Sequence, residues 1–450
     1  MEFLDKLVSP QSLEHLKLLH YLSGMVLILF VPFLGMLIGG LWLSLYYKSK
    51  SVKTSNTAYL KFAGEIIEHT TITKSAGVAF GIVPVITLLM TYAQILHTVE
   101  NTIFVYFFLG LFFIIPGTVL AYVFRYSFSF STLYSELKEN ISQSKNTDAL
   151  KRYDTLAEKT LRLKQRSGRW ALIFLLVGTF FFSAGVTLLT TPQAWGASTG
   201  LIAVFSNVYI WMRWLMIVIL SFVISGGYLL FIYFFWEGGV KFIDSSYQDM
   251  VKKNLPKVTL LSGLVLPLFI LVNASRFPAQ AYSNSLFFFF FVSIIVLFIS
   301  YHFLYDMLRN NHTKRAMWVF FLALSTSSSI VIAEEAALSG YSHKHALILG
   351  LNYDKSYAEL QKAVGTAGGV DVAGIFNTKC LACHSFDKKV VGPPYKETLP
   401  KYEGKTAQLA EFIKNPVKKN PDYPIMPNQG LKPQEAAAIA KFILEEYKKR

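Results

Sequence analysis

Cys380, Cys383 and His384 are the residues whose types and spacing most directly indicate chemistry. They form a C-x-x-C-H motif, and the chain of 450 residues contains two cysteines in all. This motif is the attachment signature of a c-type haem, in which both thiols bond to the porphyrin and the histidine binds the iron. A redox-active C-x-x-C or half of a zinc site are the alternatives, but a zinc site needs further ligands. The motif therefore predicts one covalently bound haem c.

A second iron ligand is expected downstream of the motif, in a loop before a C-terminal helix. Met426 fits this position because prolines flank it and favour an extended loop that presents the thioether. A lone methionine is more often part of a hydrophobic core. His343 and His345 are the rival ligands. We predict that His384 and Met426 bind the iron.

Residues 371–450 resemble a class I (mitochondrial-type) monohaem cytochrome c over their whole length. The resemblance implies that the carbonyl of Pro393 accepts a hydrogen bond from the iron-binding His384. The family usually has a glycine where this chain has Val372, and here Gly374 follows instead.

The resemblance also implies a helix over 371–384 that ends in the haem motif and a closing helix over 432–449. The second helix has apolar residues at intervals of three and four, which predicts one face packed on the first helix: Ala436, Ile439, Ala440, Ile443 and Tyr447.

The composition of the whole chain is that of a membrane protein. Hydrophobic residues make up 53%, charged residues only 16%, and the mean hydropathy is +0.41. The net charge of +15 does not indicate nucleic acid, because the basic residues cluster between apolar stretches. We expect the lipid bilayer to be the surrounding partner and nucleic acid not to be one.

Eight apolar stretches are long enough to cross a bilayer. They lie near 21–47, 76–97, 102–124, 170–191, 211–236, 257–274, 285–305 and 315–336. The sequence thus predicts an all-α fold: a polytopic bundle over 1–336, a linker over 337–370 and an extracytoplasmic cytochrome domain over 371–450. A helix around 355–363 within the linker is an alternative, and the linker is indicated by its glycines: Gly340, Gly350, Gly365, Gly368 and Gly369. The long basic connection over 125–169 predicts a helix or helical hairpin.

The distribution of lysine and arginine predicts the orientation of the bundle. Basic residues crowd the connections 48–75, 125–169, 237–257 and 306–315, and the alternate connections hold almost none. The positive-inside rule then places both termini on the outer side, where haem c is attached. No cleavable signal peptide is evident. We expect a multi-pass protein of the bacterial inner membrane.

The first five spans resemble the large subunit of cytochrome bd-type quinol oxidases. The stretches that carry this resemblance are 29–32, 35–36, 77–81, 176–178, 184–186, 191–192 and 225–228. The family's haem-binding histidine in span one is replaced by Leu27 or a neighbour, and 211–225 contain no histidine. The long quinol-binding loop is missing between spans six and seven. The resemblance therefore implies a scaffold without the oxidase chemistry.

Ionisable residues in the spans are candidate functional groups. His20 and His97, at the outer ends of spans one and two, are the one pair suited to an additional haem b, with interfacial hydrogen bonding as the alternative. Arg213 is expected to anchor its helix at the outer boundary, or else to contact a haem propionate or a partner. Glu334 and Glu335 are expected to be solvated, with a role in a proton path as the alternative.

These patterns predict a membrane-anchored electron-transfer subunit of a respiratory complex, not itself clearly an enzyme. Its partners would be other integral membrane subunits and a redox protein docking at the haem edge. Lysines could steer an acidic partner there or simply be solvated: Lys401, Lys405, Lys414, Lys418 and Lys419. The alternatives are a quinol-oxidising or oxygen-reducing cytochrome with an intramembrane haem b, and a transporter or sensor with a cytochrome input.

Overall fold

The computed structural model describes residues 11–97, 99, 103–142, 147–191, 195, 199–240, 244–363 and 371–449. The chain forms two compact units. Leu13–Leu347 make up one unit, and Ile348–Arg450 belong to the other.

The first unit is a bundle of helices. In chain order they are α1 (Leu13–Thr54), α2 (Thr57–Thr70), α3 (Lys74–Gly77), α4 (Val83–Ile95), α5 (Ile103–Ser142), α6 (Thr147–Leu189), α7 (Leu201–Ser206), α8 (Val208–Phe234), α9 (Ser245–Ser275), α10 (Asn284–Asn310) and α11 (Ala316–Ala363). The part of α11 from Ile348 onward belongs to the second unit. A π-helical segment, Val78–Ile82, joins α3 to α4.

The described residues contain eight helical segments long and apolar enough to cross a membrane, and no β-strand. Each predicted span falls in one of them. The predicted all-α class, with about eight membrane helices, is confirmed.

The basic connection over 48–75 contains a helix that we did not predict. Asn56 caps α2 by accepting a hydrogen bond from the backbone N–H of Ala58 at 2.9 Å. Phe62 and Ile66, one turn apart, are fully buried, so α2 packs one face on the bundle. The connection over 125–169 is helical as expected, but as extensions of α5 and α6; residues 143–146 lie outside the described residues.

The last membrane helix does not end near 336. α11 continues to Ala363, through most of the stretch expected to be a linker, and 364–370 lie outside the described residues. Gly340 and Gly350 stand singly within the helix, so each weakens it by about 1 kcal/mol without ending it. Tyr341 and Ser342 are also buried against the bundle, which holds this part of the helix in place.

Small residues allow two membrane helices to approach closely. A Cβ atom on Gly39 of α1 would lie 2.9 Å from the backbone carbon of Ser221 in α8. A Cβ atom on Gly226 of α8 would lie 2.9 Å from Cβ of Thr259 in α9. Close backbone approach of this kind is a main source of helix association in lipid.

Gly39→Ala should therefore force α1 and α8 apart and lower the free energy of unfolding by roughly 1–3 kcal/mol. Thermal unfolding of the detergent-solubilised chain, followed by circular dichroism, measures this effect. Gly200→Ala is the matched control, because a Cβ atom there meets nothing within 4 Å. Equal melting temperatures for the two variants would contradict the packing described here.

The second unit consists of α12 (Val372–Ile375), a π-helical segment Phe376–Cys380, α13 (Tyr395–Thr398), α14 (Thr406–Lys414) and α15 (Pro433–Lys448). The predicted apolar face of the C-terminal helix is buried in one core: Ala436, Ile439, Ala440 and Ile443, with Tyr447 packed against it.

The first helix of this unit is shorter than the predicted 371–384, because it widens into the π-helical segment and ends at Cys380. Asp371 caps it, accepting a hydrogen bond from the Gly374 N–H at 2.8 Å. A Cβ atom on Gly374 would lie 2.7 Å from the carboxyl carbon of Asp371. The glycine at this position thus makes room for the cap, while Val372 is buried in the core.

Candidate functional site

A cavity of about 370 Å³ lies in the second unit. It brings together the five residues singled out in the sequence, which are 46 positions apart at most: Cys380, Cys383, His384, Pro393 and Met426. Much of the remaining wall is apolar or aromatic, including Tyr395, Leu399, Leu409, Phe412, Ile413, Leu431 and Ile443. A mostly apolar cavity with a few converging polar groups is typical of a cofactor site.

The two cysteines are placed by a turn that follows the π-helical segment. The carbonyl of Cys380 accepts hydrogen bonds from the N–H groups of Cys383, at 3.2 Å, and His384, at 3.0 Å. The carbonyl of Cys383 accepts a further bond from the Gly392 N–H at 2.8 Å. These bonds fix both thiols and the histidine along one wall of the cavity.

The environment of Cys380 differs from that of a cysteine that takes part in thiol–disulfide exchange. Its side chain is buried, and burial raises the pKa of the Cys380 thiol. The attacking cysteine of a redox-active C-x-x-C has a lowered pKa instead, since the thiolate is the nucleophile. The environment of Cys380 therefore disfavours the redox alternative.

The ring of His384 is held in one orientation. Nδ1 donates a hydrogen bond to the carbonyl of Pro393 at 2.9 Å, because a carbonyl can only accept. Tyr395 stacks on the ring, with centroids 5.2 Å apart. With the proton on Nδ1, the lone pair of Nε2 is left for a metal.

Gly392 completes this arrangement. A Cβ atom there would lie 2.7 Å from Nδ1 of His384, so any side chain would displace the ring. The family resemblance implied the role of Pro393, and Gly392 directly precedes it in the chain. The stacking of Tyr395, which is 11 positions from His384, had no signal in the residue pattern.

Met426 lies in an extended loop between α14 and α15 and is half-buried at the cavity wall. The loop is tied to the helix before the motif, because Lys379 Nζ donates to the carbonyl of Gln429 at 3.0 Å. The rivals His343 and His345 lie in α11 and do not line this cavity. His345 instead donates from Nε2 to the backbone carbonyl of His97 at 3.1 Å.

Comparison with known proteins agrees with this geometry. The sequence model of the family "Cytochrome c" matches residues 370–445. Cytochrome c-551 of Pseudomonas aeruginosa is 37% identical over 73 residues, covering 16% of this chain and 70% of that protein. Cytochrome c-551 of Pseudomonas denitrificans is 36% identical over 74 residues, covering 16% of this chain and 90% of that protein.

The chain belongs to the cytochrome c family. The family match covers residues 370–445, which lie in the second unit. A cytochrome c domain implies electron transfer through haem c. The thiol pair, the oriented imidazole and the apolar walls of the cavity fit such a group.

The membrane bundle contains a second group of polar side chains, whose contacts the sequence did not indicate. Glu334 was expected in solvent, yet its side chain is 15% exposed and accepts a hydrogen bond in an ion pair with Arg213, which is 3% exposed. Asn273 donates to Glu334 at 2.6 Å. Arg276 donates to Asn273 and to Thr190, each at 2.7 Å. A charged side chain can be buried in a membrane bundle when an opposite charge takes the place of the water that would otherwise solvate it.

Glu335 is likewise not solvated. Its side chain is 13% exposed and accepts hydrogen bonds from Ser23 at 2.9 Å and Tyr92 at 3.3 Å. The ring of His20 lies 3.9 Å from this carboxylate and 3.3 Å from the hydroxyl of Ser342. In the described part of the chain, no hydrogen bond or ring contact joins His20 to His97, the pair considered for a haem b.

These contacts connect five membrane helices: α1, α4, α8, α9 and α11. Sequence reasoning missed Asn273 and Arg276. Both residues lie at the predicted outer end of the sixth span, the side on which Arg213 and Glu334 were also expected. This shared depth is the signal that could have found them.

Gly392→Ala should displace the His384 ring and lower the fraction of chains that carry a covalent haem with a bound histidine. In-gel haem staining and the visible spectrum of the purified chain measure this. Val390→Ala, two residues away and exposed, is the control and should leave both unchanged. Full haem content with an unaltered spectrum in Gly392→Ala would contradict the close approach.

Arg213→Ala should leave Glu334 buried without its cation and cost roughly 3–5 kcal/mol of stability. The variant Arg213→Ala/Glu334→Gln should regain part of this loss, because the uncompensated charge is gone. The matched control is Arg162→Ala, which breaks an exposed pair with Glu158 and should cost about 0.5 kcal/mol or less. Thermal unfolding of the four proteins measures the difference, and equal losses for Arg213→Ala and Arg162→Ala would contradict the buried pair.

Proposed function

We propose that this protein is a membrane-anchored monohaem cytochrome c that transfers single electrons on the periplasmic side of a bacterial inner membrane. The observation that carries the proposal is the cavity, where Cys380, Cys383, His384 and Met426 meet. The two thiols would hold the haem covalently, and the imidazole and the thioether would be the iron ligands.

The residues around the cavity suit a group that changes charge by one electron and keeps its ligands. When bound, the haem supplies the one-electron couple between ferrous and ferric iron. Pro393 holds the His384 ring by its carbonyl, so Nε2 keeps one direction. A thioether ligand raises the reduction potential and favours the reduced state. If His384 and Met426 both bind the iron, the protein would leave no ligand position open for oxygen.

Lysines at the cavity suit an acidic redox partner. Lys379, Lys401, Lys418 and Lys419 line its walls. Lys419 is held by the hydroxyl of Tyr402 at 2.8 Å and lies 4.7 Å from the Phe412 ring. Lys401 and Lys418 are exposed. Positive side chains beside a redox centre increase the rate of encounter with a negative partner.

The bundle is larger than an anchor requires, because one membrane helix suffices to hold a domain at a membrane. We therefore propose that Leu13–Leu347 dock other integral subunits of a respiratory complex. The resemblance of the first five spans to the large subunit of bd-type oxidases supports a complex of that kind. The buried polar contacts among five helices support a rigid scaffold.

The basic connections favour an orientation in which both termini lie outside. That orientation puts the cytochrome domain where haem c is attached. A quinol-oxidising role with a haem b receives no support from the contacts of His20, which face Glu335 and Ser342.

Met426→His should test the proposed ligand directly. Replacing a thioether by an imidazole should lower the reduction potential by about 0.1 V or more, within the range of about 0.8 V that axial ligands command. A redox titration followed by visible absorbance measures the shift, and the loss of the sulfur-to-iron charge-transfer band reports the lost ligand. Ile425→Leu, exposed in the same loop, is the control. An unchanged potential and band in Met426→His would contradict Met426 as the ligand.

A further inference from the structure

A cleft of about 430 Å³ lies among α1, α8 and α9, apart from the polar contacts of Glu334 and Glu335. One face of α1, near its C-terminal end, forms one wall of the cleft, and one face of α9 forms another. Phe222 of α8 also lines it. The lining residues are Trp42, Leu43, Tyr46, Tyr47, Lys50, Phe222, Asn254, Lys257, Val258 and Leu261.

The cleft is polar at one end and apolar at the other. Trp42 meets the ring of Phe222 edge-on at 5.5 Å, and Leu261 is 56% exposed beside them. Lys50 lies close to the end of α1 at Thr54, about two turns beyond Trp42. A single molecule with a polar head and a hydrocarbon body would satisfy both ends.

The polar end is positive, because Lys50 lines it. The Lys50 ammonium group also lies 4.3 Å from the centre of the ring of Tyr59, a residue outside the lining. Lys257 lies opposite, on α9. The lining contains no aspartate, glutamate or histidine. Within the described ranges, neither Lys50 nor Lys257 forms an ion pair, although Lys61 nearby pairs with Glu65.

We propose that this cleft binds an anionic phospholipid. The phosphate would lie between Lys50 and Lys257, and an acyl chain would lie along Trp42, Phe222 and Leu261. Two observations favour a lipid: the helices are candidate membrane helices, and the cleft opens beside exposed apolar surface. Basic pockets between membrane helices are also known to bind acidic headgroups. A quinol is disfavoured because the lining offers no carboxylate or imidazole to accept its protons.

The test is native mass spectrometry of the full chain, delipidated in a neutral detergent and titrated with phosphatidylglycerol or phosphatidylcholine. The wild-type chain should retain phosphatidylglycerol in preference to phosphatidylcholine. Each lysine near a headgroup is expected to change binding about fivefold. Lys50→Ala/Lys257→Ala should therefore weaken phosphatidylglycerol binding roughly 25-fold, if the two contributions add.

The matched control is Lys53→Ala/Lys253→Ala. It removes the same charge from the same two helices, but both lysines are exposed and neither lines the cleft. The control should change binding less than twofold. Circular dichroism and the haem spectrum verify that both double variants fold.

Three further outcomes would overturn the proposal. Equal losses in the two double variants would mean diffuse attraction to the membrane surface. Displacement of the bound lipid by millimolar inorganic phosphate would mean a site for free phosphate. Displacement by a ubiquinone analogue, with equal retention of the two phospholipids, would mean a quinone site.

Discussion

The orientation of one imidazole determines what the cytochrome domain can do. His384 is fixed by the Pro393 carbonyl at Nδ1, by the stacked ring of Tyr395, and by the absence of a side chain at Gly392. Rotation of the ring would break the hydrogen bond and bring the ring against a neighbour. Because the turn that carries His384 also carries both cysteines, the same constraint places the thiols. The apolar core behind Cys380, with Phe376 and Ile443, keeps that turn rigid.

The membrane bundle depends on a different kind of interaction. Its helices approach through small residues such as Gly39 and Gly226, which gives close contact without fixing the partner. The ion pair between Arg213 and Glu334 favours one relative position of α8 and α11. A shift of either helix would leave a charge unpaired in a medium that solvates it poorly.

Some of this structure could be predicted from the sequence because the signals are local. The eight spans follow from long apolar runs, and the buried face of α15 follows from the spacing of Ala436, Ile439, Ala440 and Ile443. The motif around Cys380 has one dominant chemical interpretation. The contact between His384 and Pro393 entered through family resemblance, since nothing in the spacing alone requires it.

Other features could not be predicted because they depend on what meets across the bundle. Arg213 looks like an interfacial anchor until Glu334, 121 positions away, is seen to pair with it. The end of α11 was misplaced because glycine was taken to mark a linker, whereas packing of Tyr341 keeps the helix continuous. Gly374 looked like a displaced family glycine, but it accommodates the cap formed by Asp371.

The measurement that most directly tests the central claim is the pyridine haemochrome spectrum of the purified full chain, with haem counted per polypeptide. The account predicts one covalently attached haem c per chain, retained after denaturation, and no haem b. A chain without covalent haem would contradict the assignment of Cys380 and Cys383. A haem b in equal amount to haem c would contradict the bundle as a scaffold and place a redox centre within the membrane.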